Sequence, residues 1–193
     1  VFNMKRLLLI LILTFSFQIL TKADDIRDFE IEGMSIGSSL LNYYSKSEIK
    51  KNIADYYDDD EYKVAEFNSL NSDYNLIQVH FKTSDKKFTI FAIDGLFEIE
   101  SMQKCIIKKD KIAKQMSKLF PTLERELSQN KEMTSGHGVM HTTSFYFTSG
   151  NYTEVTCYDY NKKVEEERGW EDHGRVAIVN DTLNQWIINK AYK

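Results

Sequence analysis

The chain has little proline and little glycine. Its 193 residues include one proline, Pro121, and eight glycines. Linkers between domains are usually rich in these two residues and in serine, and no such stretch divides the sequence. The composition therefore excludes low-complexity linkers. It favours a single folded domain, long enough to bury about 70% of the surface of its unfolded chain.

The motifs of common enzymes and cofactor sites are also missing. The sequence has no G-x-S-x-G elbow and no glycine-rich phosphate loop. The acidic run at 55–61 lacks the glycine and the distal glutamate of a calcium-binding EF-hand loop. His137 and His141 have the spacing of a zinc pair, but an extended strand would hold them about 13 Å apart. We therefore predict no catalytic residue, no metal site and no cofactor.

An excess of basic residues is absent as well. The chain has 25 Lys and Arg against 29 Asp and Glu, which gives a formal net charge of −4. Such a balance argues against nucleic acid and against anionic lipid as partners. Hydrophobic residues make up 42% of the chain and aromatic residues 13%, which is enough for a packed core and excludes a disordered chain.

The N-terminal segment has the three-part pattern of a signal peptide. A basic pair precedes an apolar run over 7–20, and small residues ending at Ala23 form a cleavage site. We predict a signal peptide at 1–23, with translation starting at Met4, and a single exported domain at 24–193. This domain would be periplasmic or secreted, with no membrane span after cleavage. The alternative, an uncleaved anchor, requires about 20 apolar residues, and two aspartates follow soon after the run.

The chain has two cysteines, Cys105 and Cys157. In an oxidising compartment an even pair most simply forms a disulfide. Strand alternation places Cys157 on the same side as Val155, and helical spacing places Cys105 on the apolar side of a helix with Met102, Ile112, Met116 and Leu119. We therefore predict a disulfide that joins a helix to a sheet. A metal-binding or catalytic thiol is the alternative.

Hydrophobic periodicity predicts an α+β fold. It indicates two short helices within 34–54, a long helix over 102–120, and strands over 62–67, 76–82, 88–100, 139–149, 152–160 and 175–179. We expect an antiparallel sheet of about six strands, with the long helix and the short N-terminal helix pair packed on one face. The order also suggests two halves, each of helices followed by three strands.

Local signals add detail to this fold. Ser45 and Glu48 have the spacing of a capping box at the start of the second short helix. The pair at 94–95 predicts a turn or bulge, and 122–129 predicts a second helical piece after the proline. A charged loop is expected before the last predicted strand, and a helix or final strand at 183–192.

The segment at 31–41, IEGMSIGSSLL, carries a resemblance. With the cysteine pair and the strand-rich C-terminal half, it resembles uncharacterised small exported proteins of marine alphaproteobacteria. Its Gly-Met-Ser entry into a short helix pair is also similar to the SmpA/OmlA and β-lactamase-inhibitor-like exported modules. The chain departs from those modules: it has the extra Ile36 and Gly37, lacks the closing glycine-proline, and is too long for one copy. The resemblance implies a non-catalytic binding or assembly-accessory role.

Aromatic residues cluster in the C-terminal third. If the Cys157 side of the strands there meets the core, alternation leaves Tyr146, Tyr158 and Tyr160 on the opposite side. We predict these tyrosines as binding residues, with a second covered face as the alternative. The predicted function is a non-enzymatic exported binding or accessory protein, with an unknown protein or small ligand as partner. The alternative is an exported hydrolase-type enzyme that uses His141, His173 and nearby carboxylates.

Overall fold

The computed structural model describes residues 25–69, 73–133 and 136–192, so the predicted signal peptide, 1–23, lies outside the described residues. Within them, eight strands form one antiparallel sheet: β1 (Ile53–Ala54), β2 (Tyr62–Asn68), β3 (Leu76–Lys82), β4 (Ile90–Glu98), β5 (Glu124–Glu132), β6 (Gly138–Tyr146), β7 (Tyr152–Tyr160) and β8 (His173–Val179). Their order across the sheet is β1-β2-β3-β4-β8-β7-β6-β5. Two meanders therefore meet where β4 pairs with β8. The α+β class and the antiparallel sheet are confirmed, but the predicted count of about six strands is wrong.

Four helices accompany the strands: α1 (Lys46–Lys51) before the first meander, α2 (Met102–Leu119) between the two, α3 (Lys162–Arg168) between β7 and β8, and α4 (Asp181–Asn189) after β8. Short 3-10 helices lie at Ile26–Asp28 and Leu40–Asn42. The predicted capping box is confirmed at the start of α1. The Ser45 hydroxyl accepts from the Glu48 amide, and the Glu48 carboxylate accepts from the Ser45 amide. Among the described residues, none of the helices combines the length and the apolar character needed to cross a membrane.

The first face of the sheet carries the larger core. The N-terminal segment and α2 cover it, and Ile77, Val79 and Phe81 of β3 point into it because side chains alternate along a strand. Cys105 of α2 and Cys157 of β7 are both buried here and form a disulfide, with their Cα atoms 6.0 Å apart. The predicted disulfide is confirmed, and it joins the long helix to the sheet.

The second face has a smaller apolar core at one end only. Leu183 and Trp186 of α4 pack there against Tyr62, Ala92 and Val179. The segment at the C-terminus is therefore a helix rather than a strand. The predicted architecture placed all its packed helices on the other face, so the position of α4 shows that this part of the prediction is wrong.

The prediction of a second helical piece after Pro121 is also wrong, because this segment is a strand. It forms β5 at the edge of the sheet and pairs with β6, with Leu127 opposite Thr143. The glutamates, arginine and leucine of β5 favour a helix locally, but such preferences are weak and strand pairing overrides them. Charged, exposed side chains also suit an edge strand, since they oppose pairing with another chain.

Two further local predictions are wrong. The expected charged loop before β8 contains α3, which begins after the N-cap Asn161 and ends at Gly169 with φ 66°. No turn interrupts β4, since Asp94 and Gly95 both lie inside that strand. A Cβ on Gly95 would lie 2.5 Å from the ring of Tyr74, so a larger residue here would force that ring to move.

Candidate functional site

Charged side chains from three strands meet at the centre of the second sheet face. Ala177 of β8 lies directly between Asp94 of β4 and Glu154 of β7. Arg175 precedes Ala177 by two positions and therefore shares its face. The Nη2 atom of Arg175 donates to Glu154 at 2.5 Å, and its Nε lies 3.9 Å from Oδ1 of Asp94. The register of the sheet thus places one arginine between two carboxylates.

Asp94 also holds His80 of β3. The Nε2 atom of His80 lies 2.8 Å from Oδ2 of Asp94, and the Tyr57 hydroxyl lies 2.6 Å from Nδ1 of His80. Because a carboxylate only accepts, we assign the ring proton to Nε2, which leaves Nδ1 to accept from Tyr57. Burial alone would raise the pKa of Asp94, but the Arg175 charge and the His80 hydrogen bond hold it below its usual value. Asp94 therefore stays ionised and orients both neighbours.

Arg175 is fixed on its other side by Glu154 and Tyr158. Glu154 accepts a second, longer hydrogen bond from Ser144 at 3.4 Å, and the Arg175 guanidinium lies 5.2 Å from the centre of the Tyr158 ring. Burial opposes the charge on Arg175, but Tyr158 and the two carboxylates raise its pKa well above the usual value. The guanidinium is therefore a permanent cation held in one place.

A cavity of about 950 Å³ opens on this side of the sheet, with Arg175 and Glu154 in its lining. Strands β6 and β7 contribute Thr142, Ser144 and Tyr158 to it, and α4 contributes Ile187 and Ile188 on another side. Polar and aromatic side chains of the second sheet face and two isoleucines of α4 thus line one cavity. The cavity therefore combines charged side chains, including Arg175, with aromatic and aliphatic ones.

The three tyrosines predicted as binding residues all line this cavity. The rings of Tyr158 and Tyr160 have centroids 6.1 Å apart and planes inclined by 15°. Tyr146 donates from its hydroxyl to Glu126 at 3.0 Å. Burial raises the pKa of both Tyr158 and Tyr160, so these phenols stay neutral near pH 7. The structure brings the tyrosines to one site, and their role in binding stays a prediction.

Exposed apolar side chains gather at the same cavity. Trp170 is 40% exposed, Tyr192 60% and Ile188 65%, and all three line it. The Trp170 ring lies 5.4 Å from that of Tyr160, and the Arg168 guanidinium lies 4.9 Å from the Trp170 ring centre. Exposed apolar groups around a concavity are typical of interaction sites.

The histidines considered for catalysis do not meet. His141 lies opposite Cys157 and therefore belongs to the first face, where it is buried. His173 lies on the second face, with its ring 4.9 Å from that of Tyr158, and burial lowers the pKa of His173. His80 also lies on the second face and is buried against Asp94. In the described ranges, no three His, Cys, Asp or Glu side chains are grouped as a metal ion would require.

A second, smaller cavity of about 470 Å³ lies beside the edge strand β1. Its charged lining residues are Glu48, Lys51 and Glu66. Glu48 is engaged in the capping box of α1, and Glu66 accepts hydrogen bonds from Tyr56 and Gln78. This cavity has no buried charged side chain and a single aromatic pair, so it is the weaker candidate.

Sequence reasoning missed Asp94, Glu154, Arg175 and Trp170. Strand alternation predicts the face on which a residue lies but not its neighbour on the next strand, and the sequence predicts a turn or bulge at Asp94. The missing information was the pairing of β4 with β8, which places residues about 80 positions apart in the sequence side by side. The available signal was a pair of opposite charges, Glu154 and Arg175, on the polar sides of two predicted strands.

Comparison with protein-family models, with curated proteins and with solved structures found no match for this chain.

Proposed function

We propose that this protein is a non-enzymatic binding protein that takes a small ligand into the cavity on the second sheet face. The observation that carries this proposal is the convergence of Tyr146, Tyr158, Tyr160 and Trp170 on a cavity of about 950 Å³ that also contains Arg175. Small-molecule sites are typically concave, about 300–1,000 Å³ in volume, and lined by aromatic groups with a few fixed polar ones.

The support is geometric. Tyr146, Tyr158 and Tyr160 belong to paired strands, so their backbones are held by the sheet. Arg175 is held by the carboxylates on either side of it. Groups that are already in place lose little conformational freedom when a ligand binds, and this favours affinity. An aromatic cavity with a rigid strand base is therefore suited to binding.

The proposal also includes the compartment in which the protein acts. The buried disulfide is consistent with an oxidising compartment. We infer that the chain is exported and acts in the periplasm or outside the cell after removal of 1–23. An accessory role like that of the SmpA/OmlA modules remains an expectation from the resemblance.

The alternative, an exported hydrolase-type enzyme, has less support. Its proposed histidines, His141 and His173, lie on opposite faces of the sheet. His80 is held between Tyr57 and Asp94 in an arrangement that suits proton transfer, but none of these three residues is in the lining of the large cavity. A substrate in that cavity would not touch them.

Two dyes that fluoresce in apolar sites test the proposal. N-phenylnaphthylamine is neutral, and anilinonaphthalene sulfonate is the same ring system with an added sulfonate. We expect saturable binding of at least one dye to the folded protein. Tyr146→Ala should weaken it about fivefold or more, because an aromatic contact is lost.

Tyr43→Ala is the matched control. Tyr43 is 41% exposed and Tyr146 37%, and each donates one hydrogen bond from its hydroxyl, but Tyr43 lies outside the cavity lining. This control should bind both dyes as the unaltered protein does. Absence of saturable binding of either dye, or equal weakening in the two variants, would contradict the proposed function.

A further inference from the structure

The donor groups of Arg175 are only partly used within the protein. A guanidinium has five N–H donors, and the hydrogen bond to Glu154 is the one that Arg175 makes among the described residues. The Nε atom of Arg175 and Oδ1 of Asp94 are both buried without a hydrogen-bond partner, since the 3.9 Å between them is too long. The side chain is 26% exposed and lines the cavity. The side chain is therefore held in place by charge, and because Nε is buried, the Nη donors that Glu154 does not use are the ones left for an acceptor in the cavity.

The charge of the cavity lining has the sign opposite to that of the whole chain. Lys131, Arg168 and Arg175 outnumber the two carboxylates of the lining, Glu126 and Glu154. Both carboxylates accept hydrogen bonds within the protein, from Tyr146 and from Arg175. Lys131 and Arg168 make no ion pair within the described ranges. The chain as a whole has a net charge of −4, whereas the lining itself has one more cation than carboxylates, with Asp94 next to Arg175 but outside the lining.

The remaining walls suit a flat apolar group. Tyr158 and Tyr160 present nearly parallel rings, and Trp170 lies 5.4 Å from Tyr160. Aromatic faces pack against planar rings in offset or edge-on arrangements. A ligand that satisfies both parts of the cavity needs an anionic group for Arg175 and a planar apolar body for the rings.

We propose that the cavity selects small organic anions with a planar apolar body, and that the anionic group binds Arg175. This inference rests on the proposed function and specifies its ligand class. Charge-assisted hydrogen bonds to a carboxylate or sulfonate are stronger than neutral ones, and a partly buried cation strengthens them further.

The dye pair isolates the anionic group, because the sulfonate is the only difference between the two molecules. We expect the protein to bind anilinonaphthalene sulfonate about tenfold or more tightly than N-phenylnaphthylamine. The double variant Arg175→Gln/Glu154→Gln removes one charge of each sign and leaves the His80 hydrogen bond to Asp94 in place. It should lose the preference for the sulfonate and keep its affinity for the neutral dye.

Arg125→Gln/Glu132→Gln makes the same chemical change on the exposed edge strand β5, outside the cavity lining. This control should keep the preference. Circular dichroism and thermal unfolding establish that each variant is folded. If the cavity variant does not fold, Lys131→Gln/Arg168→Gln decides: it removes the two exposed cations of the lining and should keep the preference, whereas loss of the preference would place the sulfonate away from Arg175.

Equal affinity for the two dyes, or a preference that survives in the folded Arg175→Gln/Glu154→Gln variant, would overturn the inference. In either case, binding of the neutral dye that Tyr146→Ala weakens would leave the proposed function standing. Failure of both dyes to bind would remove the proposed function and the inference together.

Discussion

Reduction of the disulfide between Cys105 and Cys157 is expected to lower the free energy of unfolding by about 4 kcal/mol. The crosslink joins residues with a sequence separation of 52. In the chain-entropy model a loop of that length reduces the entropy of the unfolded chain by about 14 cal/mol/K, which gives about 4 kcal/mol at 25 °C. Both cysteines are buried between α2 and β7. Reduction removes no buried atom, so we expect the change to arise mainly in the unfolded chain.

Unfolding in guanidinium chloride, followed by far-UV circular dichroism, measures this difference. Protein reduced in denaturant and refolded with reductant should show a lower midpoint than oxidised protein. Its m-value should be larger, because the open chain exposes more surface. The melting temperature should fall by about 8–16 °C, at about 2–4 °C for each kcal/mol in a chain of this size.

The double variant Cys105→Ala/Cys157→Ala is the control for the crosslink. Reductant should leave its stability unchanged, and its free energy of unfolding should lie slightly below that of reduced protein, because two buried sulfur atoms are lost. Complete reduction is verified by the mass of alkylated protein. Equal free energies of unfolding for oxidised and fully reduced protein would refute the loop-entropy reasoning.

Three further predictions concern the positions that shape the fold. The pKa of Asp94 is held below its ordinary value, so its ionised form stabilises the folded state above about pH 4, and that contribution is lost as the pH falls through the folded-state pKa. Urea unfolding across this range should show a weaker acid dependence in Asp94→Asn, and an unchanged slope would contradict the assignment. Gly174→Ala should lose about 1–3 kcal/mol of stability, because its Cβ would lie 2.0 Å from ring atoms of Phe97. A thermal melt that matches the unaltered protein would show that the ring moves freely. Ser45→Ala removes half of the capping box with Glu48 and should cost about 1 kcal/mol in the same melt; no loss would mean that α1 is held by packing alone.

Strands with regular alternation were predictable from sequence. The predicted strands at 76–82 and 152–160 coincide with β3 and β7. The disulfide was predictable for a related reason, since helical spacing and strand alternation independently placed each cysteine on a buried side. The three tyrosines followed from the same alternation: once Cys157 meets the core, its neighbours in β7 must face the other way.

The elements that were missed depend on contacts that a local pattern does not contain. Residues 124–132 are good helix formers, and only their pairing with β6 makes them a strand. Helix α3 was hidden by its charge, although Asn161 and Gly169 are readable capping signals at its two ends. The network around Arg175 required the register of β4 against β8, which no turn between those strands specifies.

The first face of the sheet mainly stabilises the fold, whereas the second face contains the proposed binding site. The first face has a continuous apolar core and the disulfide. The second face has buried charges at its centre, and ionic networks of this kind contribute little net stability, since desolvation offsets their attraction. Helix α4 lies on the second face and has both roles: its Trp186 packs against Tyr62, whereas its Ile187 and Ile188 line the cavity. The apolar contacts that anchor α4 at one end of the face therefore set the position of the cavity wall next to Arg175.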